Sequence, residues 1–148
     1  MANARITYYA TAVAAGATTV VTAITLTKSS DVGSTSNAAS FVIPAGMRFR
    51  ITSVMLATRG HATATIQTTT FHIRINTAGA VTTSSTPIIL AARVATPATA
   101  SAWDRLIMPV PEGLDIMGDG TLQWGMTAAA TYTSNAPTWD VAICGYEY

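Results

Sequence analysis

From Phe41 to Tyr148 the chain divides into short runs of alternating apolar and polar residues, separated by turn-forming residues at fairly even spacing. A period of two residues places one side-chain set on each face of a strand, and a helix cannot satisfy it. In Phe49 to Ala57 the pattern sets Phe49, Ile51 and Met55 on one face and Arg50, Thr52 and Val54 on the other. In Thr63 to Asn76, Phe71, Ile73 and Ile75 oppose His72, Arg74 and Asn76. In Thr138 to Tyr148, Trp139, Val141 and Ile143 oppose Asp140, Ala142 and Cys144. Shorter runs occupy Phe41 to Ile43, Leu106 to Val110, Leu114 to Met117 and Thr121 to Ala128. Pro44-Ala45-Gly46, Arg59-Gly60, Asn76 to Ala80, Pro111-Glu112-Gly113, Gly118-Asp119-Gly120 and Ser134 to Pro137 supply the turns. Pro87 to Val94 fits either a strand or one or two helical turns begun by Thr86 and Pro87. About eight strands and no long amphipathic helix predict an all-β fold, a single antiparallel jelly roll or β-sandwich.

Residues 1–40 differ in character. They contain no Trp or Phe, and their apolar content is mostly Ala and Val. Between Thr18 and Thr27, Val20, Ile24 and Leu26 fall on one side and Thr19, Thr25 and Thr27 on the other, as in a first strand or an extended arm. A polar Ser-, Asn- and Gly-rich loop follows from Lys28 to Ser40. The expected division is therefore an N-terminal arm and linker, 1–40, and a jelly-roll domain, 41–148. The uncharged stretch from Ala10 to Leu26 is interrupted by five threonines, which favour strand over a spanning helix. The N-terminus also lacks the compact basic and apolar regions of a secretory signal. No membrane association or export is expected.

The charge content excludes several function classes. Only 10% of residues are charged, against roughly 25% in ordinary soluble domains. The formal net charge is +1, which does not suit binding to nucleic acid by phosphate neutralisation. Cys144 is the only cysteine, so neither an internal disulfide nor a common zinc site can form. Within an apolar strand Cys144 reads as a small buried residue. His61 and His72 have no partners at metal-ligand spacing, and Asp119 between two glycines reads as a turn former rather than a calcium ligand. Hydrolase, phosphate-loop and zinc-protease motifs are absent. No enzymatic activity, cofactor or metal is expected.

The few charges are segregated by sign. No acid occurs between Asp31 and Asp104, a stretch that carries Arg48, Arg50, Arg59, Arg74 and Arg93. From Asp104 onward, Asp104, Glu112, Asp115, Asp119, Asp140 and Glu147 face only Arg105. The two halves either pair within one chain or form complementary patches between subunits, where arginine suits interface ion pairs. Tyr8 and Tyr9 near one end, and Tyr146 and Tyr148 at the other, lie where an isolated domain would fray, and aromatic residues are enriched at interfaces. The candidate interface is accordingly Tyr8, Tyr9, Val20, Ile24, Arg48, Arg50, Arg59, Arg74, Tyr146 and Tyr148.

Three segments carry a resemblance. Phe41-Val42-Ile43-Pro44-Ala45-Gly46 with the strand Phe49 to Met55 resembles the opening of single jelly-roll domains in tailed-bacteriophage structural proteins. Val110 to Ile116 with Gly118-Asp119-Gly120-Thr121-Leu122 resembles a later turn and strand of such domains, and Val141 to Tyr148 resembles their final strand. The resemblance implies a virion structural protein, most like a capsid decoration (cement) protein. It would be assembled in the host cytoplasm and placed on the capsid surface. Its implied partners are the major capsid protein and copies of itself, with a trimer favoured. A receptor- or glycan-binding head-fibre or tail-fibre module is the alternative in the same family.

Overall fold

A computed structural model describes residues 4–14, 19–31, 33, 35–60, 67–85, 87–97, 99, 102–131 and 137–148. The chain is all-β, with two antiparallel sheets packed face to face. In chain order the strands are β1 (Ala4–Ala14), β2 (Thr19–Ile24), β3 (Leu26–Ser30), β4 (Thr35–Ala38), β5 (Phe41–Val42), β6 (Arg48–Arg59), β7 (Gln67–Asn76), β8 (Ile88–Thr96), β9 (Trp103–Met117), β10 (Gln123–Thr131) and β11 (Thr138–Glu147). The larger sheet runs β4-β3-β1-β11-β6-β9, and the smaller runs β2-β10-β7-β8 with β5 also paired to β10. Among the eight longer strands the pairing is nested: β1 with β11, β2 with β10, β6 with β9, and β7 with β8.

The expected N-terminal arm is instead part of both sheets. β1 lies between β3 and β11 in the middle of the larger sheet, and β2 forms an edge of the smaller one. The chain changes sheets at exposed Thr25, between the fully buried Ile24 and Leu26. Ile6, Tyr8 and Ala10 alternate into the core, so β1 supplies apolar surface that a detached arm would leave in water. Tyr8 and Ile24, expected at an interface, are therefore core residues. Residues 61–66 and 132–136, which include His61 and Tyr132, fall outside the described residues, as does the side chain of Val20.

Two aromatic groups join the sheets. Tyr8 and Phe49 from the larger sheet meet Phe41 and Trp124 from the smaller one. Tyr8 stands edge-on to Phe41 and to Trp124, each at 4.6 Å between centroids, and Phe49 stacks on Trp124 at 5.1 Å. At the other end Trp139 meets Phe71 edge-on at 5.8 Å and donates its indole N–H to Thr69 Oγ1 at 3.2 Å. The Tyr8 hydroxyl donates to Glu147 Oε1 at 2.9 Å, and Lys28 Nζ donates to the same oxygen at 2.6 Å. Burial, then the adjacent carboxylate, pushes the Tyr8 phenol far above its usual range, so it remains a donor.

The alternation of β7 and β11 is as the sequence predicts, with Phe71, Ile73, Trp139, Val141 and Ile143 buried. The ambiguous segment Pro87 to Val94 enters strand β8. β6 departs from expectation. Ile51 pairs with Gly145 and Ser53 with Cys144, which leaves Thr52 as one extra residue against β11. This bulge reverses the parity beyond it, so Val54 and Leu56 are buried while Met55 points outward. Gly145 permits the close approach, because a Cβ there would lie 2.0 Å from the Arg50 carbonyl oxygen. On the other side, Pro109 pairs with Ser53 and Leu114 with Ile51, so residues 110–113 of β9 face Thr52 alone. The expected turn at Pro111-Glu112-Gly113 is thus an excursion inside one long strand.

Because β1 is structural, deleting residues 2–30 is expected to prevent folding. Tyr8→Ala should cost about 3–5 kcal/mol, the range for emptying a large aromatic site. Tyr8→Phe, which loses only the hydrogen bond to Glu147, should cost about 1 kcal/mol. Urea unfolding of the three variants checks this order. A deletion variant that unfolds with the parent's midpoint would contradict the placement of β1.

Candidate functional site

With its inner face committed to the core, the larger sheet presents its outer face without a covering layer among the described residues. The register arranges that face in rows across β1, β11, β6 and β9. One row reads Arg5, Tyr146, Arg50, Asp115. The next reads Thr7, Cys144, Ser53, Pro109, and the third Tyr9, Ala142, Met55, Ile107. Beyond them come Asp140, Ala57, Arg105 and then Thr138, Arg59, Trp103. The face therefore has one end dominated by Arg5, Arg50, Asp115 and Tyr146, a small polar middle, and an end where Tyr9, Met55, Ile107 and Trp103 are interleaved with Asp140, Arg105 and Arg59. The latter is termed the apolar end for its exposed large side chains.

At the apolar end, Tyr9 is 39% exposed, Met55 40%, Trp103 48% and Ile107 60%. Met55, Ala57, Trp103, Arg105 and Asp140 line a depression of about 500 Å³. The Arg59 guanidinium lies over the Trp103 ring, 5.5 Å from its centroid, which fixes the indole at the sheet edge. Large apolar side chains exposed near one another, rimmed here by Arg105, Asp140 and Arg59, mark a protein-contact surface more often than scattered single residues do. Cys144 also faces this side. It is half-buried rather than buried, with its Sγ 3.8 Å from Thr7 Oγ1.

At the other end the Thr52 bulge and the residue 110–113 excursion open a cleft of about 440 Å³. Its floor is rigidly built. Arg50 Nε donates to Asp115 Oδ1 at 2.7 Å and its Nη2 donates to Oδ2 at 2.9 Å, a two-pronged geometry that fixes the guanidinium plane. Arg50 also lies over the Tyr148 ring at 5.5 Å, and the Tyr148 hydroxyl donates to Asp115 Oδ2 at 3.0 Å. Tyr148 is pinned by two backbone hydrogen bonds with Arg48, of 2.8 and 3.1 Å. Gly113, at φ +72°, brings its backbone against the Arg50 side chain, where a Cβ would lie 2.6 Å from Cδ. The hydrogen bonds from Arg50 are the main reason that the Asp115 carboxyl is lowered to about 2.

Of the sequence-predicted interface residues, Tyr9, Arg48, Arg50, Arg59, Tyr146 and Tyr148 lie on or beside this face. Tyr8 and Ile24 do not, and neither does Arg74. Arg74 is buried on the far side of the smaller sheet, donating from Nε to Thr127 Oγ1 at 2.9 Å and from Nη1 to the Ser85 carbonyl at 2.8 Å. His72 on the same strand is partly buried, and burial, then the Arg74 charge, lowers its pKa. The opposite-charge segments meet within one chain, since Arg48 lies 3.9 Å from Asp115 and Arg50 holds it directly; Lys28, which precedes the basic segment, holds Glu147. Sequence reasoning missed Met55, Trp103 and Ile107 as surface residues and Asp115 as the clamp of Arg50. The chain matches no family model, no curated protein and no solved structure.

The Asp115 clamp has a defined pH signature. A carboxyl whose folded-state pKa is depressed contributes stability above its ordinary value of 3.8, and that contribution is lost as pH falls toward about 2. The Asp115 carboxyl resonance is expected to remain that of the anion near pH ~3, and its midpoint to rise toward the ordinary value in Arg50→Gln, where Tyr148 and Arg48 still lower it. NMR titration of both proteins checks this. An unchanged midpoint in Arg50→Gln would show that Arg50 does not set it.

Proposed function

We propose that the protein is a virion structural subunit, a capsid decoration (cement) protein that binds the outer surface of an assembled capsid and has no catalytic role. The observation that carries this reading is the uncovered outer face of the larger sheet, with Tyr9, Met55, Ile107 and Trp103 exposed together at one end. A chain with so few charged residues has little to keep such a face from association. The nested strand pairing supports the finer jelly-roll description, since it is a long antiparallel ribbon folded over into two sheets. Contact with major capsid protein through this face would tie neighbouring shell subunits together. Binding only the assembled lattice stabilises that lattice by mass action. A homo-oligomer, with a trimer favoured, would repeat the contact around a lattice axis and multiply its strength.

The test separates the apolar end from the fold. Met55→Asp and Ile107→Asp replace exposed side chains and should leave the melting temperature within a few degrees of the parent. Each should weaken co-sedimentation with assembled capsid shells by about 30-fold or more, the loss expected for a central interface residue. The parent should bind assembled shells in preference to their unassembled subunits. Undiminished shell binding by both variants would remove this face from the contact, and no shell binding by the parent would remove the proposed function.

A further inference from the structure

We infer that the cleft at the opposite end of the sheet face is a binding site for a neutral saccharide. Four observations converge on that ligand class. The first is shape: a strand bulge and a four-residue excursion of the neighbouring strand create a concavity on a sheet face that would otherwise be flat. Its size of about 440 Å³ is within the usual range for small-ligand sites.

The second is charge. Arg50 is paired with Asp115, Arg48 lies within 3.9 Å of the same carboxylate, and Glu112 at the rim offsets Arg5 beside Tyr146, so no unpaired cluster of cations is presented to an anion. A phosphate, a sulfate or an acidic peptide would have to compete with Asp115 for Arg50. The third is preorganisation. Arg50 is immobilised by Asp115, Tyr148 and the Gly113 backbone, so a ligand does not have to order it on binding.

The fourth is the set of groups left available. Arg50 spends two of its five N–H donors on Asp115. Thr52 donates its hydroxyl to the Cys144 carbonyl at 3.1 Å and keeps its oxygen lone pairs as acceptors. Glu112 is exposed at the rim, and Tyr146, 39% exposed, stands opposite Arg50 in the strand register and lines the cleft. A carboxylate that accepts from hydroxyls, a guanidinium that donates to them and an aromatic ring for the C–H face of a pyranose together match a sugar. They match neither an apolar ligand nor an ion. The site lies four residues along β11 from the apolar row, about 13 Å at strand rise, so a subunit docked through that row would hold the cleft at the rim of the contact.

NMR titration of the full-length labelled protein with the methyl glycosides of glucose, galactose, mannose and N-acetylglucosamine tests the inference. At least one glycoside should give saturable shifts in the millimolar range, centred on the Gly113 amide, Arg50 Nε and Tyr146. Tyr146→Ala should weaken binding by about tenfold, the factor for one lost stacking contact, while Tyr146→Phe should retain it. Glu112→Gln should weaken it without altering the melting temperature. Absence of saturable shifts with all four glycosides, shifts centred away from the cleft, or full binding by Tyr146→Ala would overturn the inference. So would binding of inorganic phosphate at the cleft in preference to every glycoside. Capsid binding by the Met55 and Ile107 variants is a separate readout, so the two proposals can fail independently.

Discussion

The contact between Tyr8, Phe41, Phe49 and Trp124 determines how the rest of the molecule is arranged. Each ring comes from a different strand, two from each sheet, and the ring spacings lie in the range of favourable edge-to-face and stacked pairs. The cluster brings the N-terminal strand into the larger sheet and, through the Tyr8 hydroxyl, ties it to Glu147 in the last strand. The two ends of the chain are thereby held side by side. With the inner faces filled by this cluster, the Trp139–Phe71 pair and the aliphatic residues between them, the outer face of the larger sheet is left uncovered among the described residues.

That outer face is not uniform, and its pattern follows from a backbone irregularity. Without the extra residue at Thr52, Met55 would point inward with Phe49 and Ile51, and the row with Tyr9 and Ile107 would be interrupted. The bulge turns Met55 outward and, with the residue 110–113 excursion, opens the cleft around Arg50. One local departure from strand regularity thus produces both the exposed row of Tyr9, Met55 and Ile107 and the cleft around Arg50. Bulges commonly re-aim side chains near functional sites, and here Gly145 and Gly113 give the backbone the room the irregularity needs beside Arg50.

Much of this was legible from residue order. The alternation in β7 and β11 identified the buried side of each strand, because neither strand carries an extra residue in its apolar run: β7 pairs β10 without a shift, its irregularity with β8 lying on the β8 side, and β11 pairs β6 without a shift from Thr138 to Cys144. β6 was misread at Met55 because its register is set by pairing partners far away in sequence, Gly145 on one side and Pro109 to Leu114 on the other. The N-terminal segment looked like an arm because Ala and Thr give weak apolar contrast. The alternation of Ile6, Tyr8 and Ala10 was the signal that could have placed it in the core. The segregation of charge by sign was visible at once, but its resolution was not. Only the register shows that Arg50 stands opposite Asp115 in the same chain. Arg74 was equally opaque, since no pattern in β7 distinguishes an exposed arginine from one covered by the segment that includes Ser85.

The central claim is that the apolar end of the larger sheet is covered by another protein. Hydroxyl-radical footprinting of the protein free and bound to assembled particles tests it most directly. Met55 and Trp103 should be oxidised readily in the free protein and strongly protected in the particle, while Ile88, exposed on the smaller sheet, should react alike in both. Equal oxidation of Met55 and Trp103 in the two states, or protection confined to Ile88 and its neighbours, would contradict the account.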